Sequence, residues 1–363
     1  MPTPAGISDI ELVHARLPLA RPFVTRHATR THKDVLLVRL RTADGAIGWG
    51  ECAAEPDPTY APEHLDGAWL LIRDHLAPRV FAGAPLTEVA GNNMAKAALE
   101  MAALDAQLHT EGRSLAEWLG GTRARVAVGV VVERYEDPSN AADVAAKHVA
   151  EGYRRIKLKI APGADAAHVA AVRQAIGSDV ALWADANGAY TLDDASLLDS
   201  LGLDLLEQPL RAGDLLDHAA LRPTLRAALC LDESISSFDD ARLALHVQAA
   251  DCLALKPGRL GGLADAVAVH DMCRAAGIPV WCGGMLETGI GRAANLALSS
   301  LPGFTLPGDV SATDRYFAAD LTEPFALGAD GCIAVPTGPG LGITVDETRL
   351  ASVTVRRASI SGR

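Results

Sequence analysis

Between residues 125 and 321 the chain repeats one pattern. A short apolar run ends in a polar or charged residue, and a stretch with apolar residues at helical spacing follows. The runs are Val126–Val132, Arg155–Ile160, Val180–Asp185, Leu203–Glu207, Leu229–Asp232, Cys252–Lys256, Pro279–Cys282 and roughly Phe304–Pro307. Ala164–Ile176 and Leu263–Ala276 read as helices between them, the second stopped by Gly277. Thr191 and Asp194 have capping-box spacing, with Asp where Glu is usual. The repeat recurs about every 25 residues, the length of one βα unit, which predicts parallel strands. Eight such units predict a closed barrel of the (β/α)8 type. An open doubly wound sheet is the alternative, but no G-x-G-x-x-G loop follows an early strand.

Residues 1–124 have a different texture and read as α+β. Ile10–Leu17 and Asp34–Leu40 are predicted strands, Asp44-Gly45 a turn, and Asn93–His109 a helix rich in Ala, Leu and Met. After residue 322 the repeat is lost, VPTGPGLGI reads as a loop, and residues 322–363 are expected to return to the first domain.

Composition narrows the function classes. The 363 residues are 49% apolar and 21% charged, enough to bury a large core. The net charge of -12, without a basic block, argues against nucleic acid and anionic membranes as partners. Aromatics at 4% are too few for stacking platforms. No apolar run reaches the ~20 residues of a membrane span, and MPTPAGISDIELVHARL lacks signal-peptide character. Cys52, Cys230, Cys252, Cys273, Cys282 and Cys332 form no C-x-x-C pair and sit mostly in apolar segments. A reduced, cytoplasmic protein is expected.

The candidate chemistry lies at the ends of the apolar runs. RIKLK places Lys157 and Lys159 on one face of a strand. The following runs end at Asp185, Glu207, Asp232 with Glu233, and Lys256, at steps of 26, 22, 25 and 24 residues from Lys159. Successive βα units therefore bring charged groups to one rim, where barrel active sites are built. A single Asp or Glu at such a position ordinarily caps a helix. Three converging carboxylates repel one another unless a cation neutralises them, and an all-oxygen set suits Mg²⁺. In an eight-strand barrel Lys159 and Lys256 would face each other across the cavity. That arrangement suits removal of the proton α to a carboxylate, with the enediolate stabilised by the metal. The cation, Lys157 and Arg259 are expected to lower the pKa of the basic Lys.

These residues and their order resemble the enolase superfamily, muconate-lactonizing enzyme subgroup, and most closely the o-succinylbenzoate synthase/N-acylamino acid racemase family. The stretches that carry the resemblance are GWGECAAEPDPTYAPE, GYRRIKLKI, ADANGAYTL, LLEQPL, CLDESI, LKPGRLGG, PVWCGGMLETGIGRAANLALSSLPGFTLPGDVSATDRYF and VPTGPGLGI. The resemblance implies a modified TIM barrel, (β/α)7β, with an α+β capping domain formed by both termini. It implies Mg²⁺, replaceable by Mn²⁺, on Asp185, Glu207 and Asp232, with Glu233 behind them. Lys159 and Lys256 would be the acid/base pair, with Lys157 and Asn187 near the substrate carboxylate. Arg259 would stand beside the second Lys, as in the racemase branch, and Glu287, Thr288 and Gly289 would wall the pocket.

Two regions depart from the family pattern. His27-Ala28 replaces the usual Phe-Gly, and Val131 and Glu133 replace the usual Ser and Gly. His27 and Val131 are therefore candidate substrate contacts. The expected reaction is racemisation of N-acylated, in particular N-succinylated, amino acids. The alternative is syn-dehydration to o-succinylbenzoate in menaquinone biosynthesis, and both can share one site. Other cycloisomerase or epimerase chemistry, or a binding protein with a decayed site, are remoter readings. The expected partners are a small carboxylate substrate and, by resemblance, copies of the chain in a homo-oligomer, an octamer being one such form.

Overall fold

The computed structural model describes residues 6–24 and 29–362. Its strands are β1 (Ile7–Val24), β2 (Thr29–Thr42), β3 (Ile47–Cys52), β4 (Arg125–Ala127), β5 (Val130–Val132), β6 (Arg155–Lys159), β7 (Ala181–Asp185), β8 (Leu205–Glu207), β9 (Ala228–Leu231), β10 (Cys252–Leu255), β11 (Val280–Cys282), β12 (Cys332–Ala334) and β13 (Thr354–Ser361). They form an antiparallel cap sheet, ordered β13–β1–β2–β3, and a parallel sheet running without interruption from β5 to β11. A small antiparallel pair, β4 with β12, lies beside them.

The tail returns to the start of the chain, as expected: β13 runs antiparallel to β1, with Ile10 opposite Ile360. The helix expected over Asn93–His109 spans Asn93–Glu111 and lies on β3 at close range. Gly48 and Gly50 permit this, because a Cβ on either would meet the helix carbonyls of Ala102 or Ala98 at 2.0 Å. The same helix reaches the barrel through Glu100. Its carboxylate accepts hydrogen bonds from Leu263 N at 2.5 Å and Ala264 N at 3.2 Å, at the start of the helix Leu263–Ala275. The Thr191/Asp194 capping box is present.

The barrel departs from the simple repeat at its seam. The run Val126–Val132 is two strands, because the chain passes from β4 to β5 at Val128-Gly129. The run Phe304–Pro307 is not a strand. Phe304 makes a single bridge to Val280, and Gly308 a single bridge to Val128. Pro302 and Pro307 have no N–H to give, so a regular ladder cannot form there. Arg155 supplies donors in their place, to Pro307 O at 2.9 Å and Gly308 O at 2.8 Å. A Cβ on Gly129 would sit 2.2 Å from the Arg155 guanidinium, which is why the seam needs a glycine.

Trp183, Leu205, Cys230, Cys252, Ala254 and Trp281 fill the interior between the strands. All six cysteines are free, and only Cys332 is not buried. Among the described residues no helix is long and apolar enough to cross a membrane.

The contact between β3 and the helix Asn93–Glu111 yields a stability prediction. Gly48→Ala or Gly50→Ala should overpack the interface and cost about 1–3 kcal/mol or more. Gly83→Ala, where a Cβ meets nothing within 4 Å, carries only the backbone cost of its φ of +66°, about 1 kcal/mol. Urea unfolding midpoints of the three variants check the ranking.

Candidate active site

β6 sets the polarity of the site. Arg155, Lys157 and Lys159 alternate with Ile156 and Leu158, so the cations share the inner face while the aliphatic pair packs toward the helices. In the strand register Lys159 is level with Asp185, and Asp185 with Glu207. Asp232 and Glu233 follow β9, and Lys256 follows β10. Four places separate β6 from β10 in the sheet, half the circuit of an eight-stave barrel. Lys159 and Lys256 thus lie on opposite sides of a cavity of about 690 Å³ between barrel and cap, which both line.

Each charge in this rim except Glu233 has a partner of opposite sign. Lys157 Nζ donates to Glu207 Oε2 at 2.7 Å and to Asp309 Oδ2, and lies 3.6 Å from Asp185 Oδ2. Lys159 Nζ donates to Asp185 Oδ2 at 2.6 Å and to Asn187 Oδ1 at 2.7 Å. Asn187, held at a φ of +43°, donates onward to Glu233 Oε1 at 2.7 Å. Across the cavity Lys256 Nζ donates to Asp232 Oδ2 at 2.8 Å and Tyr60 Oη at 3.1 Å. Arg259 donates to Asp232 Oδ1 at 2.7 Å and to Tyr60 Oη at 2.8 Å.

Burial and charge pull the acidities apart. Burial drives the Glu207 carboxyl well above the usual range, and the Asp185 charge adds to it. Burial likewise raises Glu233, with Asp232 and Asp185 adding to it. Asp232 goes the other way: Arg259 and Lys256 outweigh its burial and hold it far below the carboxylate range. Burial works against the ammonium of Lys159 but Asp185 outweighs it, and Asp232 does the same for Lys256, so both pKa values are raised. The expectation of a lowered lysine pKa counted a divalent cation among the neighbours. Among protein groups alone the carboxylates dominate and the direction is upward.

The donor set fits a hard divalent cation. Three buried carboxylates converge from adjacent strand ends, with no His or Cys side chain among the donors. The Glu207 Oε1 and Glu233 Oε2 atoms are buried without a hydrogen-bond partner. Among the described residues no three His, Cys, Asp or Glu side chains are already drawn together as a ligand shell. The reason is visible in the ion pairs, since Lys157, Lys159 and Lys256 each hold a different carboxylate.

The other expected site residues divide. Val131 and Glu287 line the cavity, and Glu287 is fixed by Met285 N at 2.8 Å and Asn295 Nδ2 at 2.9 Å. Thr288 and Gly289 do not reach the wall. The Thr288 hydroxyl donates to buried Glu51 of β3 at 2.6 Å, and the backbone amides of Thr288 and Gly291 donate to the same carboxylate. A Cβ on Gly289 would meet Thr322 Oγ1 at 1.8 Å, so that glycine serves packing. Glu133 is neither a cavity residue nor a solvated rim charge, because it is buried and ion-paired with Arg315 at 2.5 Å. His27 and Ala28 lie outside the described residues.

Two participants were missed in the sequence. Tyr60 reaches into the site from the cap loop, and Asp309 comes from the barrel seam. Burial raises the Tyr60 phenol despite the nearby Arg259 and Lys256 charges. The Lys157 and Arg155 charges outweigh burial at Asp309 and lower it to about 2. Tyr60 lies in a Pro-rich loop with no period. Asp309 had one available signal: an acid following the eighth run, just as acids follow the third, fourth and fifth.

Known proteins share this arrangement along the whole chain. Residues 7–120 match the mandelate racemase/muconate lactonizing enzyme N-terminal domain, and residues 140–349 the enolase C-terminal domain-like family. An N-succinylamino acid racemase from Amycolatopsis is 47% identical over 98% of this chain and 99% of its own. An o-succinylbenzoate synthase from Geobacillus kaustophilus is 43% identical over 96% of each chain. The crystal structure of an enolase superfamily member from Listeria innocua superposes with a TM-score of 0.93 at 37% identity, covering 99% of this chain and 100% of that one. Superfamily membership implies a divalent metal ion, which agrees with the oxygen-rich rim. A cap sheet over a seven-stranded parallel barrel thus has its counterpart in these relatives. The chain belongs to the enolase superfamily, in the mandelate racemase/muconate lactonizing enzyme subgroup and its N-succinylamino acid racemase/o-succinylbenzoate synthase family, and is an enzyme that abstracts the proton α to a carboxylate.

Proposed function

We propose that the chain is an N-succinylamino acid racemase. The observation that carries this reading is the pair Lys159 and Lys256, each beside a buried carboxylate on opposite sides of one cavity. Racemisation needs one group to take the α-proton and another to return a proton to the opposite face. The 47% identity to the Amycolatopsis racemase and the Arg259 beside Lys256 support it. A cavity of about 690 Å³ has room for a small N-acylated amino acid. Dehydration to o-succinylbenzoate is the second reading, favoured by relatives of that name at 43% and 42% identity. It uses proton chemistry on one face only.

In this reading Asp185, Glu207 and Asp232 hold Mg²⁺, with Mn²⁺ as a substitute, and Glu233 steadies them through Asn187. The bound cation supplies charge stabilisation to the substrate carboxylate as the α-proton leaves. Lys157 offers its ammonium to that carboxylate. When Asp185 and Asp232 are engaged elsewhere, Lys159 and Lys256 lose their counter-ions. Burial then favours the neutral amine in the one that acts as base, while the other keeps the proton it delivers. Val131, Glu287 and the cap residues Leu19 and Tyr60 enclose the remainder of the substrate. We also propose that His27 contributes to acyl or side-chain preference.

Two predictions follow from these roles. Lys256→Ala should stop racemisation, yet still exchange the α-proton of one enantiomer with deuterium through Lys159. Lys159→Ala should show the opposite enantiomer preference, each loss reducing racemisation by roughly 10²–10⁴-fold. Proton NMR of each N-succinylamino acid enantiomer in D₂O checks this, and similar exchange of both enantiomers by either variant would refute the two-face assignment. Chelation should abolish turnover and Mg²⁺ or Mn²⁺ restore it, while Asp232→Asn should lower activity on the order of 10²-fold or more with the fold retained. Full activity in excess chelator would remove the metal from the reading. Parallel assays with the cyclohexadiene precursor of o-succinylbenzoate decide between the two reactions.

A further inference from the structure

Asp309 sits where no acid of the proton chemistry is needed. It follows the irregular eighth stave, and its backbone N–H donates to Cys282 O at 2.9 Å, which fixes its place on the seam. One carboxylate oxygen accepts from Lys157 Nζ. The other lies 2.7 Å from Arg155 NH1, a charge contact that is not aligned as a hydrogen bond. Arg155 is itself immobile. It is fully buried, its guanidinium lies 4.5 Å from the Trp183 ring centroid and 5.7 Å from that of Trp281, and it donates to two seam carbonyls. Asp309 is thus clamped from below and presents a fixed negative charge to Lys157.

Lys157 is the cation on which this bears. Its ammonium touches two proposed metal ligands, Glu207 at 2.7 Å and Asp185 at 3.6 Å, and is also stacked 4.8 Å from the Trp281 ring centroid. It is therefore a competitor for the oxygens that the divalent cation would use. Asp309 draws the same ammonium the other way, toward the seam. The charges in contact around the rim balance: Asp185, Glu207, Asp232, Glu233 and Asp309 face Arg155, Lys157, Lys159, Lys256 and Arg259. Removing Asp309 alone leaves a surplus positive charge directly beside the ligand carboxylates, where the low dielectric makes it strongly felt.

We propose that Asp309 is a positioning residue that sets metal affinity by competing with Glu207 and Asp185 for the Lys157 ammonium. This rests on the metal site of the proposed function but not on which reaction the site performs. Lys157 and Asp309 act with opposite signs, so general damage to the barrel cannot imitate the pattern.

The test is direct Mn²⁺ binding without substrate, by calorimetry and by the electron paramagnetic resonance signal of free Mn²⁺. Asp309→Asn, nearly isosteric and still able to accept a hydrogen bond, should weaken Mn²⁺ binding by roughly tenfold or more. Lys157→Met should tighten it by a similar factor, and with Lys157→Met already present, Asp309→Asn should have much less effect. Should Asp309→Asn fail to fold, the tightening by Lys157→Met and unaltered binding by Asp309→Glu carry the test. Unchanged binding in Asp309→Asn, or weaker binding in Lys157→Met, overturns the proposal while leaving the metal site in place. Absence of Mn²⁺ binding by the unaltered protein would overturn both.

Discussion

The rim of this barrel is governed by the cost of burying charge. Asp185, Glu207 and Asp232 are almost fully removed from solvent and lie on adjacent strand ends. Unpaired, each would cost several kcal/mol of desolvation, and their mutual repulsion would add to it. The fold meets this with cations at fixed places, Lys157 and Lys159 on β6 and Lys256 with Arg259 beyond β10. The same pairing explains why Glu207 and Asp232 move in opposite directions from the ordinary carboxylate range. Glu207 shares one ammonium with Asp309, whereas Asp232 has both Lys256 and Arg259 to itself. A charge cluster of this kind is stable only while every member stays in register, so the rigidity of the strands is part of the chemistry.

That rigidity has a weak point at the seam, and the seam is closed by a charge instead of a strand. Pro302 and Pro307 prevent the eighth stave from pairing as the other seven do. Arg155 passes through the space that Gly129 leaves, stacks on Trp183 and Trp281, and bonds the stave by its carbonyls. It also holds Asp309, and through it Lys157. Closure of the barrel and the electrostatic balance of the rim are therefore one connected structure. A residue on the barrel floor, with no contact to the cavity, bears on the position of an ammonium that lines it.

Much of this was legible in the sequence because it follows from periodicity. The alternation in Arg155–Lys159 and the spacing to Asp185, Glu207, Asp232 and Lys256 depend on strand geometry alone, and these residues stand at the strand ends where the repeat placed them. The cap helix was legible for the same reason, with its end at Glu111 instead of His109. What was not legible depends on contacts between distant segments. Tyr60 meets Lys256 across 196 positions and Asp309 meets Lys157 across 152, and no local pattern announces either. The resemblance placed Thr288 and Gly289 on the pocket wall with Glu287. In fact buried Glu51, 237 positions from Thr288, draws the amides of Thr288 and Gly291 toward the cap sheet. The Phe304–Pro307 run has strand-like composition, and only its flanking prolines hinted that it could not pair.

The two proposed proton-transfer positions are built by different parts of the chain. Lys159 is held by Asp185 and Asn187, both from the barrel. Lys256 is held by barrel Asp232 but also by Tyr60, which the cap loop carries and which bonds Arg259 as well. The cap therefore completes one side of the site as well as covering it. Groups held by one rigid sheet keep their geometry whatever the cap does, whereas a group bridged to the cap follows the cap's seating. The seating is in turn fixed by buried polar ties, with Glu51 of β3 accepting from Thr288 and Gly291, and Lys33 of β2 donating to Met285 O at 3.1 Å. In the proposed reaction the seating of the cap and proton transfer at Lys256 are thus mechanically connected. Among the described residues the bonds that hold the Lys159 amine come from the barrel alone, so there the two faces of the site are unequal in construction even though they carry the same functional group.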